Sequence, residues 1–206
     1  NGWNGTAYGN PTYGVEGKVG TGLNFDGVDD AISLPDENGQ YLSDNFTLSM
    51  WINPDQVTSD QHLLDLNSGF SSISSNNGGI DLSLDTNGKL VFYYVPTSNQ
   101  HEASNKHISN SSIQNGQWTL VTAVRDGNNA YIYLNGVLDK SSTSQPGSII
   151  YQFSQYDDNK AWIGAFSRAT DPDPYLEFEG DIDDVRIYDR ALSLNEIQDY
   201  YYATSG

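Results

Sequence analysis

The chain has 206 residues, of which 36% are hydrophobic and 12% aromatic, and it contains no cysteine. Its 27 acidic residues outnumber 9 basic ones, for a formal net charge of −18. That field repels nucleic acid and anionic membrane surfaces, which call for basic patches, and the absence of thiols excludes disulfide and thiolate chemistry. No stretch approaches the apolar length of a membrane span. The length suits one domain over residues 1–206, in which 14 Tyr, 7 Phe and 4 Trp offset a modest aliphatic content.

Helical periodicity is absent until Ser193. Short alternating runs are instead separated by turn pairs: Asp26-Gly27, Asn38-Gly39, Asn77-Gly78, Asn87-Gly88, Asn115-Gly116, Asp126-Gly127 and Asn135-Gly136. Such pairs supply the positive φ that tight hairpins need, and strands spaced this way predict an all-β antiparallel sandwich or jelly roll. In Phe46–Ile52, Phe46, Leu48, Met50 and Ile52 share one face, opposite Thr47, Ser49 and Trp51. Lys89–Val95 is apolar or aromatic on both faces and reads as an interior strand. Trp118–Arg125 and Ala130–Leu134 form a predicted hairpin, with Ile132 and Leu134 on one side and Tyr131 and Tyr133 on the other. Lys160–Phe166 is a late strand in which Trp162 opposes Ile163. Two polar regions, 97–115 and 157–159 with 168–177, read as long loops. In Phe178–Ser193, Val185 and Ile187 share a face with Asp183, while Asp184, Arg186 and Tyr188 share the other. A carboxylate at a core position needs a cation, a metal or dense hydrogen bonding; the alternative is that the strand starts later and Asp183 is solvated in a turn. Ser193-Leu194-Asn195-Glu196 has capping-box spacing and starts a short helix through Tyr201.

Glu177, Glu179, Asp181 and Asp183 alternate and could share a face at roughly 7 Å intervals, whereas a retaining glycosidase needs two carboxyls about 5–5.5 Å apart. His62, His101 and His107 are the only histidines, and no Ser or Cys nucleophile motif accompanies them. No catalysis is expected. Asp157, Asp158, Asp171 and Asp173 lack EF-hand spacing and read as solvated loop residues. Sugar binding needs aromatic platforms and planar polar groups. Tyr93, Tyr131, Tyr133 and Trp162 lie opposite the inferred core and are candidate platforms, with Arg125, Arg168 and His101 as hydrogen-bonding partners. The alternative is that these aromatics pack beneath loops or fill a second layer.

The stretch Gly180-Asp-Ile-Asp-Asp-Val-Arg-Ile-Tyr-Asp-Arg-Ala-Leu-Ser193 resembles the C-terminal signature of laminin-G-like jelly rolls of the concanavalin A-like superfamily. Glu16–Asp30, Phe46–Pro54 and Trp118–Gly127 with Tyr133–Gly136 match the same family in the same order. The resemblance implies a concanavalin A-like jelly roll, excised from a larger chain. It also implies a non-catalytic lectin or adhesion module of a secreted or cell-surface bacterial protein, with a glycan or polysaccharide as partner. Trp51 and Trp118 fall on its framework positions. It further implies structural calcium held by Asp183, the Asp26 side chain and the Gly27 carbonyl, in a shell of six to eight oxygens. A structural spacer without a glycan ligand and a polysaccharide-degrading domain are the alternatives.

Overall fold

The computed structural model describes residues 5–34, 42, 44–66, 79–95, 106–143, 161–168 and 171–206, and side chains for all of these except 167–168 and 171–175. Two seven-stranded sheets pack face to face. The first runs, in spatial order, β1 (Thr6–Tyr8), β4 (Ala31–Leu34), β13 (Ala161–Ile163), β6 (Gln61–Leu66), β7 (Ile80–Leu84), β8 (Lys89–Tyr94) and β9 (Lys106–Ser112). The second runs β12 (Val137–Thr143), β11 (Asn129–Leu134), β10 (Thr119–Asp126), β5 (Asn45–Pro54), β16 (Glu179–Tyr188), β3 (Thr21–Asp26) and β2 (Thr12–Glu16). A two-stranded ladder of β14 (Phe166–Arg168) and β15 (Asp171–Tyr175) stands apart, and α1 (Leu194–Thr204) ends the chain. This is the expected antiparallel jelly roll with one short helix.

The core follows from period-2 alternation. Phe46, Leu48, Met50 and Ile52 of β5 point inward, against Leu82, Leu84, Phe92 and Tyr94 of the first sheet. Ile132 and Leu134 join that cluster, as the hairpin pattern predicts. β8 lies between β7 and β9, an interior strand as its apolar and aromatic run predicts. Among the described residues one Arg or Lys enters the core: the fully buried Arg125 stands 4.8 Å from the Tyr94 ring, and its Nε donates to the Gly127 carbonyl.

Two segments read as loops contain strands. β9 lies inside 97–115; its inward residues include His107 and Ser109, so no hydrophobic alternation marks it. β15 is written Asp-Pro-Asp-Pro-Tyr, and its prolines are tolerable because a two-stranded ladder leaves one edge of each strand unpaired. Along the side of the sandwich where β9 and β12 meet, Asp139 stitches the two edges. It is the extra residue of a bulge in β12, since Ile132 pairs with Lys140 and Tyr133 with Leu138. Its carboxylate accepts the backbone N–H groups of Asn110, at 2.5 Å, and Ser111, at 3.1 Å. His107 and Ser142 join the same strands at 2.6 Å. Burial and the nearby Lys140 and Arg125 charges push the His107 pKa down to about 4, so this link is made by a neutral imidazole at pH 7.

A second bulge corrects the face assigned to Asp183. Asp183 pairs with Trp51 and Arg186 with Ser49, so three steps on β16 match two on β5. The extra residue moves Asp183 off the Val185/Ile187 side and onto the outer face with Trp51. Asp184, at φ 47°, sits in the bulge. Its carboxylate binds the Arg186 Nε at 3.0 Å and accepts the Tyr200 hydroxyl of α1. Beyond Ile182, which pairs with Leu23, β3 no longer flanks β16; an opening of about 460 Å³ lies there, lined by Leu34, Ile163, Val185 and Ile187.

Candidate functional site

The two outer faces differ in what covers them. On the second sheet, α1 begins at the predicted Ser193 cap, with its capping box to Glu196 complete, and runs to Thr204, three residues past the predicted end. It lies on the outer side chains of β5, β10 and β11. Trp51 stacks on Tyr201 at 5.8 Å and its Nε1 donates to Thr204 Oγ1 at 3.1 Å. Ile197 closes a cluster with Val124 and Tyr133, against which Tyr131 packs. The rings of Tyr131 and Tyr133 are 6.4 Å apart on one face, as alternation predicts. They serve as a seat for the helix, and Tyr133 is only 8% exposed.

On the first sheet, register brings together residues distant in sequence. One cross-strand row runs Ser33, Trp162, Asp65, Asp81, Tyr93 and Lys106, from β4 through β13, β6, β7 and β8 to β9. Two carboxylates therefore stand directly opposite one another between a tryptophan and a tyrosine. Like charges at paired positions repel, which makes this arrangement costly unless it is compensated. Asp81 is compensated by His62, whose Nδ1 lies 2.5 Å away, and by the Ser83 hydroxyl at 2.9 Å. Burial opposes a charge on His62, but the Asp81 carboxylate, with Asp65 and Asp60, outweighs it and holds the pKa above the usual value. Ser83 donates to Asp81 and not to His62, so the three do not form a nucleophile–base relay.

Aromatic rings fold over this row at two points. Tyr8 meets Trp162 edge-on at 4.8 Å, and Phe166 of β14 lies 4.6 Å from the His62 ring. Trp162 is 3% exposed and Asp65 fully buried, while Tyr93 is half-buried and Lys106 exposed. The accessible end of the row is thus Tyr93 and Lys106. Of the residues singled out from sequence, Tyr93 and Trp162 share this row, and Tyr131 and Tyr133 lie on the other sheet. Arg168 ends β14, beside the row, and His101 lies outside the described residues. Sequence reasoning missed Asp65, Asp81, His62 and Ser83. Their signal was a lone acid inside each of two apolar runs, Gln61–Leu66 and Ile80–Leu84.

The acidic residues near β16 fall into three groups. Asp181 is held by an amide from each neighbouring strand, Asn24 Nδ2 at 2.9 Å and Asn53 Nδ2 at 3.1 Å. Glu179 accepts Gln56 Nε2 at 2.7 Å. Asp183 accepts the Val19 N–H at 2.7 Å, and a Cβ on Gly17 would collide with its carboxylate, which explains the glycine there. Asp183 is therefore not brought to Asp26 and Gly27. Asp26 pairs with Glu179, four residues along β16, roughly 13 Å at strand rise.

The turn itself gathers Asp26, Asp29 and Asp30, whose oxygens lie within 4.8 Å of one another. Asp30 accepts the N–H groups of Asn10 at 2.6 Å and Asp26 at 3.0 Å, and Asp26 accepts that of Val28 at 2.9 Å. Burial raises the Glu177 pKa, and the Asp29 and Asp26 charges raise it further, so negative potential accumulates here. Among the described residues no cation is paired with them, and clustered hard oxygens of this kind could hold a calcium ion.

The chain matches the family described as the concanavalin A-like lectin/glucanases superfamily, laminin-G type, over residues 26–198. No curated protein matches it. Among solved structures, it is similar to domain 4 of AbnA, a GH43 extracellular arabinanase from Geobacillus stearothermophilus, in complex with arabinotriose. That similarity is 25% identity and a TM-score of 0.66 over 93% of this chain and 81% of that one. The botulinum neurotoxin serotype G binding domain has its fold at 17% identity and a TM-score of 0.69, over 100% of this chain. The binding domain of Paraclostridial Mosquitocidal Protein 1 does so at 16% identity and a TM-score of 0.64, over 98%. The chain spans about half of each of those two binding domains, 47% in both cases. With most of its length matched and the two-sheet architecture in place, this chain belongs to the laminin-G-like family of the concanavalin A-like lectin/glucanases superfamily.

Proposed function

We propose that this chain is a non-catalytic carbohydrate-binding or adhesion module of a larger secreted or cell-surface bacterial protein. The observation that carries the reading is the accessible end of the row on the outer face of the first sheet, where Tyr93 stands beside Lys106 with the buried Asp81, Asp65 and Trp162 behind it. An aromatic ring offers a surface to the C–H face of a sugar, and polar groups at its edge, here the Tyr93 hydroxyl and the Lys106 ammonium, share hydrogen bonds with the sugar's hydroxyls. The other outer face is occupied by α1, whereas on this one Tyr93 and Lys106 reach solvent. The arabinotriose complex of the AbnA domain supports a neutral oligosaccharide as the first ligand class to test. Asp81 is engaged by His62 and Ser83, which favours binding over proton transfer.

Tyr93→Ala is expected to weaken binding to any oligosaccharide found on a glycan array at least about tenfold, or about 1.4 kcal/mol, with little change in the melting midpoint. Calorimetry on the wild type and the variant measures this. Unchanged affinity removes the row from the reading, and release of reducing ends from the bound glycan replaces it with an enzyme.

Calcium is the structural ion of this reading. Asp26, Asp29 and Asp30 would hold it, with Glu177 and the Gly27 carbonyl within the same turn region, and it would neutralise their mutual repulsion. An ion that binds only the native state adds RT ln(1 + [L]/Kd), about 2.7 kcal/mol at a hundredfold excess over Kd. Calcium should therefore raise the melting midpoint above that in chelator, more than magnesium does. Asp26→Asn should erase the gain and Asp183→Asn should leave it. Equal midpoints with and without calcium remove the ion.

A further inference from the structure

Below the Asp139 stitch, where β9 and β12 diverge, a groove of about 300 Å³ opens at the side of the sandwich, away from both outer faces. Its rim carries three carboxamides, Gln114, Gln117 and Asn135, and two adjacent aliphatic residues, Val137 and Leu138. Val137 is 65% and Leu138 48% exposed, one on each face of the edge strand β12. The charge in the lining is Asp139, and its carboxylate is already taken by Asn110 and Ser111. In a chain of net charge −18, this groove offers a ligand neutral groups.

The walls are held in place before any ligand arrives. Asn135, at φ 53°, accepts the Leu120 N–H through its side chain at 2.9 Å and donates its own N–H to the Leu120 carbonyl at 2.9 Å. Across the groove, the Ile113 N–H reaches the Gly88 carbonyl at 2.8 Å and the Gly116 N–H the Pro54 carbonyl at 2.7 Å. Ordering cost on binding is low when the rim is already rigid.

We propose that this groove is a second carbohydrate site, separate from the sheet face, which takes a neutral sugar chain. Carboxamides carry a donor and an acceptor in one plane; Gln114 Nε2 already donates to the Ser112 carbonyl at 3.3 Å and Asn135 Oδ1 accepts the Leu120 N–H, which leaves Gln117, the Gln114 oxygen and the Asn135 amide group to pair with sugar hydroxyls, while one of Val137 and Leu138 meets an apolar ring face. An acidic sugar gains no cation here and meets the field of the whole chain. An extended peptide is disfavoured because the edge amides of β9 it would pair with, at Asn110 and Ser111, are capped by Asp139. Without an aromatic ring the site binds weakly, with a Kd of about 1 mM, and its value lies in avidity with the first.

The test is an amide-resolved NMR titration of the whole chain with arabinotriose, xylotriose, mannotriose and laminaritriose, and with trigalacturonate as the acidic control. At least one neutral sugar should shift the amides of Gln114, Gln117 and Leu138 along its own saturation curve. The Gln114→Ala/Gln117→Ala pair should weaken that curve at least tenfold and leave shifts around Tyr93 as they were. Absence of shifts at the groove with all four neutral sugars overturns the proposal, as does a curve the double variant leaves intact or a stronger response to trigalacturonate. Groove shifts with a silent Tyr93 region uphold this site and overturn the sheet-face reading, so the two fail separately.

Discussion

Ending the chain after Asp189 is expected to unfold most of it at room temperature. The deletion removes α1 and exposes Trp51, Val124 and Tyr133, which are 1%, 2% and 8% exposed in the intact domain. Each such side chain contributes about 1.5–3 kcal/mol through burial, so the three together contribute roughly 4.5–9 kcal/mol. A typical domain holds about 5–15 kcal/mol in total. The deletion also leaves Thr47 without partners, since its hydroxyl donates to the Arg190 carbonyl and accepts the Leu192 N–H, both at 2.9 Å. Ile197→Ala is the milder form of the same experiment and should cost about 2–4 kcal/mol through a cavity over Val124 and Tyr133. Urea titration followed by tryptophan fluorescence measures both. A truncated chain with the wild-type midpoint would show that the helix decorates the sheet without supporting it.

Gly180→Ala should be nearly as damaging, although it adds one methyl group. Gly180 sits at φ 136°, a region L-residues rarely adopt, at the start of β16 between Phe25 and Pro54. A Cβ there would overlap the Asn53 carbonyl oxygen and lie 2.8 Å from Pro54 Cα and 2.9 Å from the Asp55 nitrogen. All three are backbone atoms in β5 or directly after it, so none can swing aside as a side-chain tip can. Relief requires β16 to lift from β5, which would break the Asp55 N–H to Glu179 carbonyl bond of 3.0 Å and loosen the amide grip on Asp181. The expected loss is at least about 3 kcal/mol, from strain and broken pairing together. Thermal melting with calorimetric detection checks it; a shift of less than two degrees would mean the strand yields easily.

Much of the fold was legible because turn pairs and alternation are local signals. Asn135-Gly136 and Asp126-Gly127 bound the hairpin of β10, β11 and β12 where the sequence predicts it, and Ser193 caps the helix. What escaped depends on distance or on a single inserted residue. A period-2 reading carries Asp183 to the core face, because a bulge changes the count without changing composition. β9 escaped because His107 and Ser109 fill inward positions that hydrophobic residues usually take. The opposition of Asp65 and Asp81 arises only from the register between β6 and β7, which no segment reveals alone. Tyr131 and Tyr133 alternate as read, yet alternation identifies a face and not its occupant. A helix sixty residues later decides that.

Strand order also has a consequence for the nascent chain. In the second sheet β16 is inserted between β5 and β3, and in the first β13 is inserted between β4 and β6. Each sheet thus consists of two early halves with no shared strand until a late one is made. A ribosome adding about 5–20 residues per second leaves those halves waiting for seconds, with the inner edges of β3, β5, β4 and β6 unpaired. Such edges are templates for pairing with other chains. Closure depends on contacts distant in sequence, so it is slow and cannot begin domain-wide before residue 188 emerges. Substitutions within Glu179–Tyr188 will therefore lower the yield of soluble protein during synthesis by more than their effect on the finished fold.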